Sequence, residues 1–113
     1  MDNQSHFEKF IELITEWIEL YHSVSVAGLP AAEKRAQLEK IMWQALSEIT
    51  EYSKTERAAK SAEERLRVLE LLNRAVKAEL AVLHEQDFFY VEEVLAEIEE
   101  TTRKYKERMD KHP

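Results

Sequence analysis

Apolar residues along this chain recur at intervals of three and four, and the recurrence is cleanest near its start. Phe7, Phe10, Ile11, Ile14, Trp17, Ile18 and Tyr21, with Leu13 and Leu20 beside them, fall on one half of a wheel stepped at about 100° per residue. Glu8, Glu12, Thr15, Glu16, Glu19 and His22 fill the other half. A helix divided in this way lies on a core with its back to water. Ser5-His6-Phe7-Glu8 reads as the capping box that starts it, the Ser5 hydroxyl and the Glu8 carboxylate each serving a backbone N–H that the first turn leaves without a partner. The pattern predicts a first helix over about 5–22.

The segment from Ser23 to Pro30 holds the chain's only Gly and one of its two Pro, and it reads as a loop. Pro30 suits the first turn of the next helix, where a missing N–H costs nothing. Leu38, Met42, Ala45, Ile49 and Tyr52 mark the core stripe of that second helix, about 30–53, with Ile41 and Leu46 at its flanks. The stripe fades over 54–60, and Ser61-Ala62-Glu63-Glu64 is a second capping box.

The third helix, about 62–85, has a wider apolar arc. Leu66, Leu69, Leu72, Val76, Leu80 and Leu83 form one stripe, and Val68, Leu71, Ala75, Ala78 and Val82 form a second beside it. Glu63, Arg67, Glu70, Arg74 and Lys77 mark a narrow polar face. An arc this wide predicts a helix packed against several neighbours. A fourth helix, about 88–110, carries Phe88, Val91, Leu95, Ile98, Thr102, Tyr105 and Met109 at the same spacing.

No Gly or Pro separates the third and fourth helices, so a three-helix bundle with the two merged into one rod is the alternative. Phase argues against it: extending the stripe past Leu83 would bury Asp87 and turn Phe88 and Val91 to water. A turn at His84-Glu85-Gln86-Asp87, with Asp87 as the N-cap, removes both conflicts. The expected fold is all-α, an up-and-down four-helix bundle formed by residues 1–113 as a single domain.

Composition agrees with that reading. Hydrophobic residues make up 44% and charged residues 35% of the 113, the balance of a globular chain with a real core. One Gly and two Pro are too few for an all-β fold rich in tight turns. The absence of cysteine excludes disulfides and thiolate metal sites, and fits a reducing compartment. No stretch approaches the roughly 18–20 continuous apolar residues that span a bilayer, so no membrane association is expected. Met1-Asp2-Asn3-Gln4-Ser5 lacks the basic start and apolar run of a secretion signal, and the expected location is cytoplasmic. A net charge of −7 argues against nucleic acid as a partner, because neutralising phosphates takes clustered Lys and Arg.

Candidate chemistry is sparse. Glu19-Leu20-Tyr21-His22 has the Glu-x-x-His spacing of di-iron bundles, but such bundles use two copies and this chain has one. His22, His84 and Asp87 gather at the same end of an up-and-down bundle and are the weak metal candidates; an ordinary polar turn is the plainer reading. A Ser–His–acid set drawn from Ser23 or Ser25 with His22 or His84 has no sharp turn to hold its serine. One glycine cannot build a phosphate-binding loop. The chain is expected not to be an enzyme, and nothing calls for a cofactor. Glu79 is the one polar residue inside the broad apolar arc. It needs a hydrogen-bonding partner, protonation, or access to water.

Two aromatic residues miss the stripes of their own helices. Trp43 points about 140° from the core line of the second helix, on a small-residue face with Ala32, Ala36, Ser47 and Thr50. Phe89 points opposite the core line of the fourth helix, with Tyr90 at its edge. Around Phe89 and Tyr90, Glu92, Glu93 and the first helix's Glu16 and Glu19 make an acidic pole. Acids steer association and aromatic anchors supply affinity. The expectation is therefore a small acidic protein-interaction module of the inhibitor, immunity, chaperone or adaptor kind, binding a basic partner protein through Phe89, Tyr90, Glu92, Glu93, Glu16 and Glu19. The alternatives are a structural homo-oligomer, a homodimer through Trp43, Ala36, Ser47 and Thr50, and a metal-binding bundle.

Overall fold

The computed structural model describes residues 5–24, 32–84 and 88–111; at 24, 88–91, 105, 106 and 108–111 it describes the helix but not the side chain. Four α-helices follow one another: α1 (His6–Val24), α2 (Ala32–Thr55), α3 (Ala62–Leu83) and α4 (Phe88–Lys111). A short 3-10 turn, Arg57–Ala59, leads from α2 to α3. The fold is all-α, an up-and-down four-helix bundle. α1 packs on α2, α2 on α3, α3 on α4, and α4 returns to α1. Each expected helix end lies within two residues of the observed one. Among the described residues no helix is long and apolar enough to cross a membrane.

The predicted starts of α1 and α3 are made by the expected hydroxyls. Glu8 N–H donates to Ser5 Oγ at 3.1 Å, and Glu64 N–H donates to Ser61 Oγ at 3.2 Å. α1 has a second tie at its start: His6 N–H donates to Glu56 Oε1 at 2.7 Å, and His6 Nδ1 lies 2.7 Å from Glu48 Oε2. One of the orphan donors of α1 is thus met by a carboxylate from just beyond α2, fixing the two helices' register.

α3 and α4 are separate antiparallel helices and not one rod. His84 N–H closes the last turn of α3 on the Leu80 carbonyl at 2.9 Å. Arg74 of α3 then meets α4, donating to Thr101 Oγ1 at 3.1 Å and lying 3.4 Å from Glu97 Oε2. The loop with Gly28 and Pro30, and the expected N-cap Asp87, lie outside the described residues.

The buried residues form one cluster. α1 supplies Phe7, Phe10, Ile11, Ile14, Trp17, Ile18 and Tyr21; α2 supplies Leu38, Met42, Ala45, Ile49 and Tyr52; α4 supplies Val94, Leu95 and Ile98. α1 and α2 thus bury the residues their periodicity marks. α3 does so with only one of its two stripes. Val68, Leu71, Ala75, Ala78 and Val82 are buried, together with Ala81. Leu66, Leu69, Leu80 and Leu83 are exposed, while Leu72 and Val76 are half-buried. The expectation that both stripes pack inside the bundle is corrected here.

The volume of the α1 aromatics gives the physical reason. Trp17 is fully buried and stacks on Tyr21 at 5.6 Å between ring centroids, the ring planes within 5° of parallel. Its Nε1–H donates to Glu79 Oε2 of α3 at 2.8 Å, which holds the edge of the indole against that helix. Two inward-facing α3 residues in the turn before Glu79, Ala75 and Ala78, are small. Leucines at those positions would overfill a close-packed interior.

Candidate interaction surface

The outer side of α3 is the most unusual part of this surface. Leu66 is 58% exposed, Leu69 50%, Leu80 46% and Leu83 53%. Counted at about 100° per residue, their line lies roughly 150° around α3 from the buried stripe. It is a second apolar face and not the rim of the first. Scattered apolar residues on a surface are ordinary, but four exposed leucines aligned on one helix face mark a place where something docks. Full burial of one leucine is worth about 1.5–3 kcal/mol, so four half-exposed leucines leave on the order of 4 kcal/mol of stabilisation unrealised on each chain.

α2 extends the same side. Leu83 and Glu79 of α3 share a cavity of about 160 Å³ with Ala32, Arg35, Ala36 and Glu39 of α2. Trp43 lies two helical turns from Ala36 on the same side of α2 and is 65% exposed, its Nε1–H reaching Glu39 Oε1 at 3.4 Å. Ala36, Ser47 and Thr50 are exposed with it. Ala32 and Ala36 of α2 and Leu83 of α3 therefore adjoin across one groove, at one end of the two faces.

Glu79 stands at the inner wall of that groove, half-buried. Burial pushes its carboxyl above the ordinary range, the Trp17 N–H pulls it partly back, and the nearby Glu39 charge pushes it further up. Its partner is thus a core indole, so its first role is to position Trp17.

The acidic pole is assembled less fully. Glu16 and Glu19 are exposed on α1 and line an open groove of about 580 Å³ with Leu20, Ser23 and, from α2, Gln37, Lys40, Ile41 and Gln44. Glu93 is exposed. Glu92 is half-buried and lies 3.2 Å from His22 Nε2, joining the end of α1 to the start of α4. The side chains of Phe89 and Tyr90 lie outside the described residues.

Of the weak metal candidates, His22 faces Glu92, His84 is exposed, and Asp87 lies outside the described residues. No group of three or more His, Asp or Glu side chains is gathered as a metal cage among the described residues. Ser23 Oγ–H donates to the Leu20 carbonyl at 2.9 Å, as a hydroxyl closing a helix end does; Ser25 lies outside the described residues.

The sequence reading missed the His6–Glu48–Glu56 tie, which joins residues 42 and 50 positions apart and leaves no local signal. It also missed the outer face of α3, for which a signal does exist. The spacing Leu66, Leu69, Asn73, Val76, Leu80, Leu83 is a regular alternation of three and four that the apolar residues alone do not display, because a polar residue fills one of its places. Comparison with protein-family models, with curated proteins and with solved structures finds no match to this chain.

Proposed function

We propose that this chain is a non-enzymatic protein-interaction module that docks through the side formed by the outer leucines of α3 and Trp43 of α2. The observation that carries the reading is the row of four half-exposed leucines on a helix whose other face is already buried. Such a face has no role in closing the bundle and destabilises the separated chain relative to one in which it is covered. Small inhibitors, adaptors, chaperones and immunity proteins act through surfaces of this kind.

A second reading has its own support. Glu16 and Glu19 are exposed along α1, and a spacing of three makes them repel one another. A basic partner protein would relieve that repulsion and be steered in by the chain's net charge of −7. Charge of this kind sets approach and orientation, whereas the leucine face supplies the burial that holds a complex together.

The test compares the wild-type chain with Leu69→Glu/Leu80→Glu as baits in native lysate, both first shown to be folded by far-ultraviolet circular dichroism. Proteins held by the wild type, its own copies included, should be lost from the double variant. Equal retention, or a variant that unfolds, would overturn the assignment of this face.

A further inference from the structure

We infer that the occupant of the outer α3 face is a second copy of this chain, lying parallel and in register so that Asn73 meets Asn73. The inference rests on the reading of this side as a docking surface and adds the identity of what docks there.

Leu66, Leu69, Asn73, Val76, Leu80 and Leu83 follow one another at three, four, three, four and three residues. This is the a/d spacing of a coiled-coil seam: Leu66, Asn73 and Leu80 take a positions, while Leu69, Val76 and Leu83 take d positions. A straight helix drifts only about 20° per heptad against that repeat, so over this length the seam stays on one face. All six residues are exposed or half-buried. The seam is open from end to end.

A seam this short would not sustain a free-standing coiled coil, whose helices must form as they associate. α3 meets no such requirement. The Ser61 cap and the buried Val68, Leu71, Ala75, Ala78 and Val82 already hold it helical, so association orders little beyond side chains.

Two observations select a copy of this chain over an unrelated apolar helix. Asn73 is the one polar residue in the seam, at its central a position. Covered by leucine, its amide would lose water and gain no partner; covered by an identical amide it gains a hydrogen bond, which is how a single a-position Asn fixes register and strand number. Antiparallel pairing would match Leu66 with Leu83 and Leu69 with Leu80, but it would set Asn73 against Val76 and leave the amide unpaired. The second observation is charge. Half-buried Arg65 and exposed Glu70 flank the seam five residues apart, the g and following e positions that meet across a parallel pair. Two-fold symmetry then sets Arg65 against the second copy's Glu70 twice.

The chain has no cysteine, so introduced ones report pairing without background. Sedimentation of the full chain should show its mass rise with concentration from 13.4 kDa toward twice that value. Under mild oxidation, Leu69→Cys alone and Leu80→Cys alone should each form a cross-linked dimer, while Glu99→Cys on the exposed side of α4 should not. Asn73→Asp changes an exposed residue, so it should leave the melting of the dilute chain unaltered. It should weaken association at neutral pH by roughly tenfold or more, because two like charges are then buried together. A chain that stays at 13.4 kDa at every concentration overturns the inference; the docking reading is then judged separately by the lysate comparison of wild type with Leu69→Glu/Leu80→Glu. A dimer that cross-links only when the two cysteine variants are mixed overturns the parallel register.

Discussion

α1 and α3 are both strongly apolar helices, yet they use their apolar residues in opposite ways. α1 puts its large side chains, Phe10 and Trp17 among them, into the core and its glutamates into water. α3 turns a face dominated by alanine and valine inward and a row of leucines outward. The bulk of α1 forces the difference. Trp17 reaches across to α3 through Glu79, and α3 lines the core beside it with the small residues Ala75 and Ala78. Hydrophobicity therefore says which faces need cover, whereas side-chain volume says which of two apolar faces is covered from within.

The sharpest way to break this comparison is to remove the bulk. Trp17→Ala should destabilise the fold by about 3–5 kcal/mol, the range for deleting a buried aromatic, because it opens a cavity and leaves the Glu79 carboxyl without the indole N–H. Urea unfolding followed by circular dichroism checks it. A loss under about 1 kcal/mol would mean that Trp17 does not set the packing of α3.

The next effect separates the two faces of α3. Ala78→Leu adds volume to the inner face and should cost about 1–3 kcal/mol. Leu66→Ser, on the outer face, should change stability in dilute solution by no more than about 0.5 kcal/mol. The reverse order would show that α3 is rotated from the phase described here.

The smallest effect sharpens the contact between the helices. The Glu79 carboxyl is raised above its ordinary 4.5 by burial, so over the interval between that value and its folded value the native state holds more protons than the unfolded one. Stability contributed by this group is thus full below the ordinary value and is lost as pH rises through the raised one. Glu79→Gln keeps an acceptor for Trp17 and removes the titration. Its melting temperature should exceed that of the wild type more at neutral pH than near pH 4. A difference independent of pH would place Glu79 in water.

The helices of this bundle were legible because their signals are local. Ser5 and Ser61 cap where a hydroxyl three residues before a glutamate predicts, and the stripes Leu38–Tyr52 and Phe7–Tyr21 point inward by period alone. The orientation of α3 was not legible in this way. Both of its stripes satisfy a helical period, and the hydrogen bond that ties α3 to the core joins Trp17 and Glu79, 62 residues apart in the chain. Trp43 was singled out by phase and lies on the outside. Hydrophobicity alone places the outer leucines in the core, and side-chain size is what separates the two stripes. Asn73, a polar residue inside an apolar stripe, reads by hydrophobicity alone as a gap in it.

The bundle closes one face of α3, and the proposal is that a second copy of the chain closes the other. Thiol labelling of two neighbouring positions, followed across protein concentration, tests both halves together. A cysteine at Ala78→Cys should resist a water-soluble thiol reagent at every dilution. One at Leu80→Cys, only two residues on, should react fast in dilute solution and become progressively protected as concentration rises. Leu80→Cys protected even at the lowest concentration would place that face in the core; Leu80→Cys equally reactive at all concentrations would mean that no second copy covers it.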